Sequence, residues 1–182
     1  MSEKFWSNPT VEPKRAFRWL FSLAGANSLL ETYAIKSCKK PSFAVSEIPH
    51  QFVAHTFYYP GRITWNTVDV TFVDPVSPDQ SAIITNMIVE AGYQAPKDQE
   101  RALTSLSKGG FWGAIGEPVI MQLDAAGKTL EEWTLHNSFF TSVDFGQLDY
   151  GTEDLLINSV TIRYDYATFN TIGSSPASTL TP

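Results

Sequence analysis

Three consecutive segments decide the fold: Pro41-Ser-Phe-Ala-Val-Ser-Glu-Ile-Pro49, Gln51-Phe-Val-Ala-His-Thr-Phe-Tyr-Tyr-Pro-Gly61 and Thr64-Trp-Asn-Thr-Val-Asp-Val-Thr-Phe-Val-Asp74. The last alternates as a half-buried strand does. Val68, Val70 and Phe72 share one face, and Thr67, Asp69 and Thr71 the other. The middle segment has Phe52, Ala54, Thr56 and Tyr58 on one face and Val53, His55, Phe57 and Tyr59 on the other. Neither face is polar. A strand apolar on both faces has to be covered on both sides, by its own domain or by another copy. That points to assembly rather than catalysis. The hairpin Phe43–Tyr59 is therefore expected to carry contacts between subunits, with Phe43, Val45, Phe57, Tyr58 and Tyr59 as the contact residues.

Outward from this run, residues 1–14 hold Asn8-Pro9 and Glu12-Pro13 and read as an extended arm. Arg15–Leu23 alternates, with Phe17, Trp19, Phe21 and Leu23 on one face, and reads as the first core strand; Leu30–Lys39 reads as the second. After Asp74 the spacing predicts a helix. Ser77 is the expected N-cap and Pro78 the first helical residue, with Gln80 completing a capping box. Ile83, Ile84, Met87, Ile88 and Ala91 follow at helical intervals, and Gly92 is the stop. A weaker helix is expected over 97–108, and the glycines at 109, 110, 113 and 116 read as loop. Pro118–Asp124 and Lys128–His136 form a hairpin around Ala125-Ala126-Gly127; Ser138–Phe145 is a further strand, and Gly146–Glu153 a turn-rich link. Asn158–Ala167 alternates cleanly, with Val160, Ile162, Tyr164 and Tyr166 on one side. The expectation is a mainly β fold: a β-sandwich or partly open barrel of about eight strands with one flanking α-helix. The domain occupies 15–167. The segment 168–182, rich in Ser, Thr and Pro, is expected to be a flexible tail.

The chain has 182 residues, enough for one domain with a sizeable core. Its single cysteine, Cys38, excludes a disulfide framework within the chain. No stretch reads as a secretory leader or a membrane span, so synthesis in a host cytoplasm and no membrane partner are expected. The net charge of −6 is unevenly distributed. Through Ile63 eight Lys and Arg stand against four Asp and Glu, a balance of +4; from Thr64 five stand against fifteen, a balance of −10. Such a chain is able to stack head to tail on itself. Chance sorting of solvated charges accounts for the pattern equally well.

No arrangement of residues specifies a catalytic centre, metal or cofactor. His50, His55 and His136 lie outside any ligand spacing, and His55 reads as a packing residue. No Gly-x-Ser-x-Gly elbow is present. Lys36, Lys39 and Lys40 flank Cys38 and would lower its pKa, but a plain strand thiol is the better reading. Glu131 and Glu132 point to opposite faces of a strand and do not converge on a substrate. The glycines around Phe111 and Trp112 do not form a phosphate cradle, and three lysines are too few for a nucleic-acid surface.

The order of elements in 41–74 resembles the tail tube protein of phages with contractile tails. The features that carry the likeness are Ile48-Pro49, the aromatic strand closed by Pro60-Gly61, and the alternating strand from Trp65 to Asp74. Leu130–Leu135, Val143–Gly151 and Glu153–Ala167 resemble the last strands of that family. The resemblance implies a structural, non-enzymatic tube subunit. Its hexameric rings stack into a tube within a contractile sheath, meeting baseplate and tail-terminator proteins, and the location is the virion tail. It also implies that genome DNA crosses the lumen without specific binding; Asp69 and Asp165 are the acidic lumen candidates. A secretion-system tube or a phage-derived particle shares this architecture. A carbohydrate-binding β-sandwich using Trp112 is the alternative from another class, and an enzyme ranks third.

Overall fold

The computed structural model describes residues 13–23 and 32–172. Among the described residues, ten strands form two four-stranded antiparallel sheets and one separate two-stranded ribbon. The first sheet contains β1 (Trp19–Ser22), β6 (Val119–Leu123), β7 (Thr129–His136) and β10 (Tyr166–Thr171), in that order. The second has the order β2 (Ile35–Cys38), β5 (Val68–Val73), β9 (Ile157–Arg163) and β8 (Phe139–Asp144). β3 (Phe43–Phe52) and β4 (His55–Trp65) pair only with each other. The mainly β expectation stands, and among the described residues no barrel closes.

The core forms where the alternating residues of both sheets meet. Val68, Val70, Phe72, Val160 and Ile162 come from the second sheet, and Phe21, Ile120, Leu135 and Ala167 from the first. Helix α1 (Gln80–Glu90) covers this core with Ile84 and Met87, followed by Ala91, the face predicted from its spacing. Gly92, at φ +112°, ends it.

Four local expectations are corrected. The N-cap is Asp79, not Ser77, and Pro78 precedes the helix: Asp79 Oδ1 accepts from Ala82 N at 2.9 Å. Asp74 adds a second carboxylate, accepting from Gln80 N at 3.0 Å and from Ser81 Oγ at 2.5 Å. A carboxylate complements the positive end of a helix better than a hydroxyl does. The glycine-rich segment is helix α3 (Lys108–Ile115), which follows the short helix α2 (Gln99–Ala102). Burial of Phe111, Ala114 and Ile115 overrides the poor propensity of its glycines. Gly110 is needed for the contact between α1 and α3, because a Cβ there would sit 2.4 Å from Ala91 O. The segment 158–167 is two strands, not one. Tyr164 turns into the core and Asp165 N bonds to His136 O at 3.1 Å, so the chain crosses from the second sheet to the first. Tyr166 consequently leaves the buried face. Phe17 lies in a turn before β1 and is exposed, because the strand begins only at Trp19.

Residues 30 and 31 of the expected second strand lie outside the described residues; 32–34 form a 3-10 turn, and β2 starts at Ile35. The expected arm is described only from Pro13, and of the expected tail, 168–171 belong to β10.

Candidate functional site

The ribbon of β3 and β4 is an extension of the second sheet. β2 leads into β3, and β4 into β5. Lys39 N donates to Asp69 O at 3.0 Å and Asn66 N to Ser42 O at 2.8 Å, which carries the ladder across the junction. At its base Trp65 stands against Phe43 at 5.2 Å and Tyr164 at 5.9 Å between ring centroids. Beyond that point the ribbon projects from the domain, and almost every residue in it is exposed.

The expected middle strand 51–61 is not one strand: the chain turns at Val53-Ala54, so Phe52 ends β3 opposite His55 and lies on the side of Phe57 and Tyr59, not of Tyr58. Phe43 pairs with Trp65 and Val45 with Ile63; Glu47 then pairs with Pro60, so the ladder shifts at Ser46. This is a β-bulge. Below it the apolar side is Phe43, Val45, Ile63 and Trp65. Above it, Ile48 opposite Tyr59, His50 opposite Phe57 and Phe52 opposite His55 lie on the other side. Glu47, Pro49, Gln51, Thr56 and Tyr58 share the more polar side of the outer half. The apolar stripe thus changes face at the bulge. Gly61 permits it: a Cβ there would lie 2.3 Å from Ser46 Oγ and 2.9 Å from Ser46 O. Gly61→Val is expected to shift the outer ladder and impair self-association with the core intact, read by sedimentation beside a thermal melt.

The five expected contact residues are all exposed, with Phe57, Tyr58 and Tyr59 at 52%, 63% and 57%. Phe57 and Tyr59 share the apolar outer side; Tyr58 does not. Val53 at the tip is 93% exposed, with φ +53°. That conformation costs a β-branched residue about 1–2 kcal/mol. His55 lies exposed at the tip, not packed, because the ribbon has no layer covering it.

The two lumen candidates are not together. Asp69 is exposed on the outer side of β5 and accepts from Thr161 Oγ1 at 2.9 Å. Asp165 occupies the corner between β9 and β10, ion-paired with Lys108 at 2.5 Å and bonded to Asn137. The Lys108 hydrogen bond holds its carboxyl below the usual range, against a smaller opposing effect of burial.

One titratable cluster was not legible in sequence. Glu131 on β7 is buried and binds both Lys14 and Lys40. Burial pushes its carboxyl up, but hydrogen bonds and charge from the two lysines outweigh it and hold the carboxyl below its ordinary value. Burial likewise opposes the low pKa of Asp74, which Ser81, Asn158 and two helix amides overcome. Groups depressed in the folded state give stability that is present above the unfolded pKa and lost as pH falls through the folded one. The denaturation midpoint is therefore expected to drop below about pH 4, and Asp74→Asn to flatten that dependence. Asp165, nearly half exposed, adds less.

His136 stacks on Tyr166 and lies between Glu117 Oε1 at 2.8 Å and Thr168 Oγ1 at 2.9 Å. The order carboxylate, imidazole, hydroxyl resembles a nucleophilic relay, but Thr168 is a half-buried mid-strand residue opposite Thr134. The three groups tie β7 to β10 and to the segment before β6. Cys38 packs against the core, and burial, then the charge of Asp69, pushes its thiol up to about 12. The neighbouring lysines do not activate it. Cys38→Ser is expected to leave folding and self-association unchanged by melting and sedimentation. Trp112 is exposed on α3 rather than on a loop. Among the described residues, no group of three or more His, Cys, Asp and Glu is placed to hold a metal, and no helix is long and apolar enough to cross a membrane.

No protein-family model and no curated protein matches the chain in sequence. Solved structures match it in fold. A chain in the anti-feeding prophage cap, a tube terminating cap, superposes at TM-score 0.65 and 17% identity, over 94% of this chain and 100% of that one. A chain in the sheath/tube terminator of the extracellular contractile injection system PVC matches at TM-score 0.62 and 17% identity, over 88% and 98%. A chain in the PVC sheath-tube complex matches at 0.59 and 17%, over 90% and 95%. At this identity the likeness is one of fold. Two packed sheets with a long projecting ribbon, matched over nearly the whole of these chains, give this protein the fold of a contractile tail tube-like subunit.

Proposed function

We propose that the chain is a non-enzymatic tube subunit of a contractile particle, built to assemble with copies of itself. The observation that carries this reading is the projecting ribbon, apolar on alternate faces along its length and without a covering layer in its own domain. A two-stranded ribbon is marginal alone in water. Its exposed side chains gain about 1.5–3 kcal/mol each when a neighbour covers them. Neighbouring copies would join their sheets into rings, and rings would stack into a tube. Sheath, baseplate and terminator proteins are the expected further partners, and a particle tail the expected location. Negative-stain microscopy of the purified protein tests this. Rings or tubes support it, and a dispersed monomer at high concentration rejects it.

A second reading has its own support. The match to a chain in the structure of a tube terminating cap spans the whole of that chain, and a terminator ends a tube instead of extending it. Single rings that never lengthen favour it.

The lumen is proposed to conduct DNA without retaining it. The support is the −10 balance from Thr64 onward. Asp69, exposed on a sheet face rich in hydroxyls, remains the candidate; Asp165 is compensated by Lys108. Acidic walls repel phosphates, whereas each Lys or Arg contact adds affinity by counterion release. Assembled tubes are expected to show no affinity for duplex DNA at low salt. Salt-sensitive binding would reject the acidic lumen.

A further inference from the structure

Lysine and arginine are absent between Arg62 and Lys97, and again between Lys128 and Arg163. The fold gathers acids of these stretches at one end of the second sheet. Asp74 N donates to Leu156 O at 3.0 Å, and Asp144 pairs with Ser159, so the connection 145–156 lies where β5 ends. Asp144, Asp149, Glu153 and Asp154 are exposed there. Bare apolar side chains stand among them: Leu148 is 85% exposed and Leu155 71%, and Tyr150 and nearby Val76 are fully so. A groove between this connection and α1 is lined by Phe145, Leu148, Leu156, Ala82 and Asp79.

The opposite end of the same sheet is basic. Lys39 lies beside Asp69, Lys40 and Lys14 meet at Glu131, and Arg163 follows Ile162, the partner of Val68. The ribbon with Arg62 leaves the domain from this end. Five residue steps along β5 separate the two ends by roughly 17 Å. That exceeds the screening length of about 8–10 Å at physiological salt, so each end presents its own charge to a partner.

Acids around exposed apolar groups have the anatomy of an interface, an apolar centre with a charged rim. Covering four acids without cations would be costly, so the occupant must bring positive charge. The basic end supplies it and also carries the apolar ribbon. We propose that the acidic, apolar 144–156 end of one copy receives the basic, ribbon-bearing end of a second copy, head to tail. Such a heterologous contact does not close on itself and generates a filament. This rests on the assembly reading above.

Two charge-reversed proteins test it. One carries Asp149→Lys, Glu153→Lys and Asp154→Lys, making both ends basic. The other carries Lys39→Glu, Arg62→Glu and, next to Lys14 in the same groove, Arg15→Glu, making both ends acidic; Lys14 and Lys40 are left to hold Glu131. Each alone is expected to stack at least about tenfold more weakly than wild type at low salt, with an unchanged circular dichroism spectrum. An equimolar mixture is expected to stack again, since unlike ends then meet. Wild-type stacking should itself weaken as salt rises. Either variant stacking like wild type, or folded variants that fail to recover on mixing, overturns the inference while rings leave the tube reading standing. A wild-type protein that never self-associates overturns both.

Discussion

Phe57→Ser combined with Tyr59→Ser is expected to abolish assembly while leaving a folded subunit. Both rings lie on the apolar side of the outer ribbon, opposite His50 and Ile48. Neither belongs to the core cluster, and exposed substitutions of this kind change stability by no more than about 0.5 kcal/mol. Covered by a neighbour, the two would contribute about 3–6 kcal/mol together. At 1.4 kcal/mol per factor of ten, their loss weakens each contact by roughly two to four decades. Sedimentation velocity and microscopy measure the loss, and a thermal melt checks the fold. Tyr58→Ser, on the other side, serves as a milder control. Wild-type tubes from the double variant would remove the ribbon from the interface.

Phe72→Ala is expected to act in the opposite way, on the fold. Phe72 is buried near the C-terminal end of β5, paired with Ile35 on one side and Asn158 on the other. Truncating a buried phenylalanine costs about 3–5 kcal/mol through lost transfer energy and a cavity. Whole domains have only about 5–15 kcal/mol, so the loss is a large share. A shift of the urea midpoint at unchanged slope measures it. Assembly should then fall only as far as the folded population falls. A midpoint within error of wild type would show that the packing around β5 is looser than its burial indicates.

The contrast between these variants reflects what was readable in the chain. β5, α1 and the hairpin of β6 and β7 follow from single, unbroken periods, because each buries one regular face. The ribbon was visible as a conflict: an apolar strand with no polar side. Its resolution was not visible, because the chain turns back at Val53-Ala54, which splits the segment between β3 and β4, and a bulge at Gly61-Arg62, opposite Ser46, moves the register by one residue. The corner at Asp165 was hidden for a related reason. Val160, Ile162, Tyr164 and Tyr166 keep alternating across it, with no glycine or proline to mark the break. Helix α3 was missed because its glycines argue locally against a helix, while contact with α1 decides in its favour. Glu131 was placed on a strand face, but its partners Lys14 and Lys40 lie 117 and 91 residues away in sequence.

The continuity of the ribbon with the second sheet has a mechanical consequence. β3 and β4 are the free ends of strands whose other ends are clamped in the domain, through β2, β5 and β9. A pull on the tip along the ribbon runs parallel to those strands. The cross-strand hydrogen bonds are then loaded in shear, several at once, and no single bond at an edge has to open first. The subunit is built like a cantilever with a deep root. Tension arriving at one tip spreads across the central sheet, past Trp65 and Tyr164, before it reaches the covering helices.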